Sequence, residues 1–254
     1  MIAKLCLQEL INMEIPRQAV AVWFGSKQDD ARYLDLWREA PLTYNPDQPI
    51  DSEWHVDRYE ITLGKDSSGE FFHRAAQITL SNRFYPPQVM VNTSDFQRED
   101  RLVRCGDRVL QRIRLLLAWD RPVLEVLTMN EITEVVNEPR RKGFTYTTTS
   151  VHSELGDWSP TVEWRENNEV ALVITVVSRA KPGASRLSHR ITRWMQLRAH
   201  RLSILNFKDL LRGGYGLQPS PTTEFVPTKI LPAGLLAIAT LLFLGAVFNL
   251  SNKK

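Results

Sequence analysis

Near the end of the chain, Ile230 to Leu250 (ILPAGLLAIATLLFLGAVFNL) runs without one ionisable side chain, and only Ser251, Asn252, Lys253 and Lys254 follow. At about 1.5 Å per residue, such a helix spans roughly the 30 Å hydrocarbon core of a bilayer and satisfies its own backbone polar groups there. The run predicts a C-terminal anchor, a single transmembrane helix over 230–250 with a short tail at 251–254. A buried core helix is the alternative, but it is normally shorter or shows a polar face. Pro232 falls in the first turn, where its missing N–H costs little, and Gly234 and Gly245 are ordinary in membrane helices.

Everything before the anchor is then expected to form a body on one side of the bilayer. No second apolar run has spanning length, and the first residues (MIAKLCLQELINMEIPRQ) read as an amphipathic helix rather than a signal or transit peptide. Between Lys181 and Arg212 there are eight Lys or Arg against one acid, Asp209, while the whole chain carries only +3. A basic segment beside an anchor fits the positive-inside tendency, so the expected topology is a single-pass, tail-anchored protein with its body on the cytoplasmic or stromal face. Cys6 and Cys105 stand far apart without CxxC or Cys/His spacing, which argues for reduced thiols and no structural zinc.

The body's patterns come in a telling order. After an N-terminal helical extension (1–40) and a Pro-rich loop, His55 to Leu63 alternates as a strand, and Glu70 to Asn82 spaces Phe72, Ala75, Ala76 and Thr79 at helical intervals. Short strands follow at 103–119, 123–128, 131–137, 143–149, 161–165 and 170–178, with Asn167-Asn168 as a hairpin turn. Ser185 to Leu211 then reads as a long helix, and 213–229 as a linker. Strand, helix, antiparallel strands and one closing helix is the order of an α+β helix-grip domain (41–212), a curved antiparallel sheet wrapped around its last helix. A sheet packed solidly on a helix gives the same pattern.

Val135-Val136-Asn137-Glu138-Pro139-Arg140-Arg141-Lys142-Gly143-Phe144-Thr145-Tyr146, then His152, Glu154 and Gly156, then Val173-Ile174-Thr175-Val176-Val177-Ser178-Arg179, resemble the DUF1990 (UPF0548) family of bacteria and plants. Pro41-Leu42-Thr43-Tyr44 and Val103-Arg104-Cys105-Gly106-Asp107 fit its pattern too, so the resemblance covers roughly Pro41 to Leu211. It implies a START-related, Bet v 1-like fold and no settled activity. The chain departs from the family by carrying Thr147-Thr148-Thr149 after Tyr146 and Asp157-Trp158 after Gly156, where the family tends to show a glycine and two carboxylates.

Phe144, Tyr146 and Trp158 are candidates to line a pocket for an apolar ligand, against the alternative of ordinary strand core. His152 and Glu154 are the one pair suited to proton transfer, against a hydrogen-bonded corner between strands. Arg186, Arg190, Arg193, Arg201 and Lys208 recur at helical spacing and are expected to form one face toward anionic lipid headgroups, against a plain solvated face. No GxSxG elbow, HExxH or Walker sequence occurs, and the histidines lack metal spacing, so no metal or cofactor is expected; a nucleic-acid surface on the basic helix is disfavoured because the expected anchor places that helix beside lipid. The expected function is a non-enzymatic, membrane-tethered domain that binds a lipid or other hydrophobic small molecule. An assembly factor acting through its surface on a membrane protein complex is the alternative, and an enzyme using His152 and Glu154 the third.

Overall fold

A computed structural model of the chain describes residues 19–23, 30–48, 50–118, 121–182 and 186–213. Their order is β1 (Val20–Trp23), α1 (Asp30–Leu36), β2 (His55–Lys65), α2 (Glu70–Leu80), β3 (Met90–Ser94), α3 (Asp95–Arg98), β4 (Arg108–Ala118), β5 (Arg121–Glu138), β6 (Arg141–Thr148), β7 (Glu154–Trp164), β8 (Glu169–Ala180) and α4 (Arg186–Leu211). The strands form one antiparallel sheet in the order β2-β8-β7-β6-β5-β4-β3, and β1 pairs with the first half of β5.

Local chemistry fixes the corners. Asn168 takes the left-handed conformation at φ 61°, and the Asn167 side chain accepts the Glu169 N–H at 3.0 Å, closing the β7–β8 hairpin. The Asp66 carboxylate accepts the N–H groups of Gly69 (2.9 Å) and Phe72 (2.8 Å) and so satisfies orphan donors at the start of α2. Gly143 is required by close approach, since a Cβ there would overlap the Pro160 carbonyl oxygen of β7. Gly156 is required twice over, by φ 139° and by the Val177 carbonyl of β8 against it.

Alternation divides the sheet into two faces, both covered. On the inner face Val109, Ile132, Phe144, Tyr146, Trp158 and Ile174 meet Phe72 and Leu80 of α2, Phe84, Phe96 of α3, and Phe207 and Leu211 of α4. On the outer face Leu110, Leu127 and Met129 meet Leu34 and Trp37 of α1. Beyond α1 the outer face is polar, with Thr145, Ser159 and Thr175 along a groove of about 260 Å³.

Besides Phe207 and Leu211, polar and ring contacts hold helix α4 on the inner face. Arg193 clamps Asp57 of β2 at 2.6 and 2.7 Å, Gln196 Nε2 donates to Glu154 of β7 at 2.7 Å, His200 meets the edge of Tyr59, and Asn206 Nδ2 donates to the Phe84 carbonyl at 2.8 Å. Its other side stays open, with Trp194 50% and Leu205 48% exposed. This corrects the expectation of a sheet wrapped around its closing helix: the sheet meets one side of α4 without enclosing it and shares its inner face among α2, α3 and α4.

The expected transmembrane helix is corrected as well: among the described residues no helix is long and apolar enough to cross a membrane. The longest, α4, has 26 residues but carries arginines throughout. Ile230–Leu250, the tail at 251–254, most of the linker and the amphipathic stretch at the N-terminus lie outside the described residues. The single-pass, tail-anchored assignment and the placement of a body on one membrane face are withdrawn with the span. Two strand assignments change too. The pair 123–128 and 131–137 is one strand, β5, bulged between Ile132 and Glu134, and the strand expected at 161–165 begins seven residues earlier, at Glu154.

Candidate functional site

Strands β6 and β7 bring Phe144, Tyr146 and Trp158 together on the inner face. Trp158 stacks on Tyr146 (ring centroids 5.0 Å, 27°), stands edge-on to Phe84 (5.0 Å, 89°) and lies 6.0 Å from Phe144. The reason is register: Tyr146 is opposite Trp158 and Ile132, so one cross-strand row carries all three.

His152 and Glu154 are placed otherwise. His152 Nδ1 accepts the backbone N–H of Glu154 at 3.0 Å, while the Glu154 carboxylate turns to Gln196 on α4. Ring and carboxylate do not face each other in a hydrogen bond. Burial drives both toward the neutral form, His152 down to about 4 and Glu154 up to about 7, with Gln196 and Arg193 holding the carboxyl back from rising further.

The five basic residues of α4 do not share one solvent face. Arg201 is exposed, but Arg193 turns into the sheet to pair with Asp57, and Lys208 is half-buried. Arg186 and Arg190 fall in the first two turns. Among the described residues no cluster of three His, Cys, Asp or Glu could hold a metal ion.

The sheet also presents a set of residues beside the aromatic row that sequence reasoning missed. Asn92 of β3, Gln111 of β4 and Thr128 of β5 are directly opposite one another in register, and Asn130, two residues on from Thr128, points to the same face. Gln111 is 2% exposed, and Thr128 and Asn130 are 0%. Among the described residues no hydrogen-bond partner reaches Asn92 Oδ1, Gln111 Nε2, Thr128 Oγ1, either amide atom of Asn130, or Trp158 Nε1. Two phenols border them. Tyr146 is pushed up to about 12 by burial, with Gln111 and Tyr85 pulling it back, and burial raises Tyr85 well above its ordinary range; Gln111 Nε2 lies near the Tyr146 hydroxyl without closing a hydrogen bond of ordinary geometry. Both phenols are neutral across the physiological range, so this part of the inner face carries hydrogen-bonding capacity without charge.

The signal for these residues was present in β5. Leu124 and Val126 are apolar at one parity, Leu127 and Met129 at the other, which marks a strand covered on both faces. In such a strand Thr128 and Asn130 cannot face water.

Fold and site define an antiparallel sheet domain with helices on its faces and a buried, uncharged polar row beside a cluster of aromatic rings. The chain belongs to the family described as "Domain of unknown function (DUF1990)", which matches residues 39–205. No curated protein matches it. Among solved structures it is similar to hypothetical protein jhp0584 from Helicobacter pylori (10% identity, 61% of this chain and 84% of that one, TM-score 0.40). It is similar also to the protein of unknown function SA2116 from Staphylococcus aureus (9%, 64% and 98%, TM-score 0.39). A third is the ginseng major latex-like protein 151 from Panax ginseng (11%, 60% and 96%, TM-score 0.33). At these scores the family match alone carries the assignment.

Proposed function

We propose that this chain is a non-enzymatic binding module that holds a small organic molecule on the inner face of its sheet, between β3–β7 and the elements that cover them. The observation that carries this reading is the row of unpartnered polar groups on Asn92, Gln111, Thr128 and Asn130 beside Trp158. A buried polar group left unsatisfied costs about 1–3 kcal/mol, so several in one patch are a poor solution for stability alone and a good one for a ligand that completes them. The aromatic rings supply the apolar part of such a site. The expected ligand is therefore amphipathic in detail, a mostly apolar body with a few polar atoms, rather than a bare hydrocarbon.

The test combines extraction with two substitutions. Organic extraction of the purified protein, followed by mass spectrometry, should release a defined molecule. Thr128→Val and Gln111→Met should lower its recovery while raising the melting temperature of the extracted protein, because each removes an unsatisfied group. Extraction of nothing, together with a lowered melting temperature in both variants, would overturn the proposal by showing that these groups are satisfied within the fold.

A second reading, an interaction factor acting through its surface, draws on the exposed Trp194, Leu197 and Leu205 along the open side of α4. It separates from the first by Trp194→Ala, which should impair an interaction factor and leave ligand recovery unchanged.

A further inference from the structure

The unpartnered atoms differ in kind, and their kinds restrict what can complete them. Gln111 Nε2 and Trp158 Nε1 are donors only, Thr128 Oγ1 can donate or accept, and Asn130 presents a donor and an acceptor side by side in one planar amide. Asn92 Oδ1 accepts at the β3 end of the row. No Lys, Arg, Asp or Glu belongs to this row or to the aromatic row next to it; Glu154, the carboxyl that acts on Tyr146, is held by Gln196 and driven toward its neutral form by burial, and Arg193 is closed on Asp57 at 2.6 Å. An ionised ligand would lose its hydration here without gaining a counter-charge. A ligand without polar atoms would leave every one of these groups as it is.

We infer that the inner face recognises a neutral, planar, conjugated heterocycle carrying an amide-type edge, a ring carbonyl beside a ring N–H. In that arrangement the Asn130 amide pairs with the edge through two hydrogen bonds, its Nδ2 donating to the ring carbonyl and its Oδ1 accepting the ring N–H. Gln111 Nε2, Thr128 Oγ1 and Trp158 Nε1 are left for further ring oxygens or nitrogens. Trp158, stacked on Tyr146 and edge-on to Phe84, forms an aromatic cluster beside the row, and such a cluster favours contact with a conjugated ring over a flexible chain. Two-point recognition by a buried amide is demanding, since an analogue unable to fill one of the two bonds strands a desolvated group. This inference rests on the proposed binding function and adds to it the chemical class of the ligand.

The experiment uses the full chain, extracted free of bound small molecules, with three probes. Lumichrome is a neutral, fluorescent, planar heterocycle with two ring N–H groups beside ring carbonyls; its 1,3-dimethyl derivative lacks both N–H groups; phenanthrene has a comparable plate and no polar atom. Lumichrome should bind with a change in its fluorescence and quenching of tryptophan emission, and the 1,3-dimethyl derivative at least about tenfold more weakly. Asn130→Leu should weaken lumichrome by a similar factor and leave phenanthrene unchanged or tighter. Thr128→Val serves as the second variant, with a smaller loss, should Asn130→Leu fail to fold. Phenanthrene binding as tightly as lumichrome, with no response to either variant, would overturn the amide-edge class while leaving a binding module in place. Binding of none of the probes, with ordered waters on Gln111, Thr128 and Asn130 in a crystal structure, would overturn the class and the binding function together.

Discussion

The two faces of the sheet treat buried polar groups in opposite ways. Under α1 on the outer face, Arg112 pairs with Asp30 and, at 3.0 Å, with Glu125, which also takes Arg114 at 3.2 Å. Further along the same face Thr133, Thr147 and Asp157 form a chain of hydrogen bonds of 2.9 and 2.7 Å, and Thr145 bonds Ser159 at 2.9 Å. Even charged groups there are closed against each other, Trp37 Nε1 being an exception. The inner face pairs the groups that hold α4, Arg193 with Asp57 and Gln196 with Glu154, yet leaves five residues in one uncharged patch incomplete. A fold that pairs charges on one side of a sheet has the means to pair amides on the other. The difference therefore points to use rather than to poor packing.

The largest expected effect tests the apolar half of the inner face. Phe84 is 0% exposed, stacks on Phe207 of α4 (5.0 Å, 19°) and stands edge-on to Trp158, so it links the closing helix to the aromatic row. Phe84→Ala should cost about 3–5 kcal/mol in urea unfolding, the range for a large buried ring whose cavity cannot collapse. A loss near 1 kcal/mol would mean that α4 is held by its polar contacts alone. The outer face comes next. Glu125→Ala should cost about 3 kcal/mol, because it leaves the buried Arg112 with Asp30 only and deprives Arg114 of its carboxylate. Neutral behaviour in that variant would break the contrast between the faces, since it would show the outer network to be as dispensable as the inner row. Set beside these losses, Thr128→Val is expected to gain stability, and the opposite signs are what the comparison requires.

How much of this was legible in the chain depends on where the signal was local. β2, α2, the Asn167-Asn168 hairpin and α4 are set by period and turn chemistry, and they stand where the sequence reading put them to within a few residues. The first half of β7 was hidden because Gly156 and Pro160 look like strand breakers. The structure absorbs both, Gly156 by its positive φ and Pro160 by a gap in the β6–β7 ladder, where no pairing falls between Gly143–Thr161 and Tyr146–Trp158. Alternation puts Phe144 and Tyr146 on one face of β6, whereas Trp158 joins them only through the β6–β7 register, in the half of β7 that the sequence hid. The amide row was not legible, since Gln111, Thr128 and Asn130 are distant or ordinary in sequence and become a site only when β4 and β5 pair in register and α1 covers the opposite side. The closing helix misled in a different way: its charges suggested an outward basic face, yet Arg193 and Gln196 are the residues that tie it to the sheet.

The smallest expected effect concerns that tie and has a definite sign. Glu154, held against Gln196, is raised by burial from an ordinary 4.5 to about 7, so the folded protein binds its proton more tightly than the unfolded chain does. Its contribution is fully present below about pH 4.5 and is lost as pH rises through 7. His152 and His200 act oppositely: burial lowers both to about 4, so their contribution is present above 6.5 and is lost as pH falls through 4. Between pH 5 and 7 the carboxyl and the imidazoles therefore offset each other. Glu154→Gln retains an acceptor for Gln196 and removes only the titration. The variant should gain stability relative to the parent as pH rises from 5 to 7.5, with melting temperatures compared at both ends. An unchanged difference across that range would show that Glu154 is ionised at both values, and α4 would then be fastened to β7 by a charge-assisted bond in place of a protonated one.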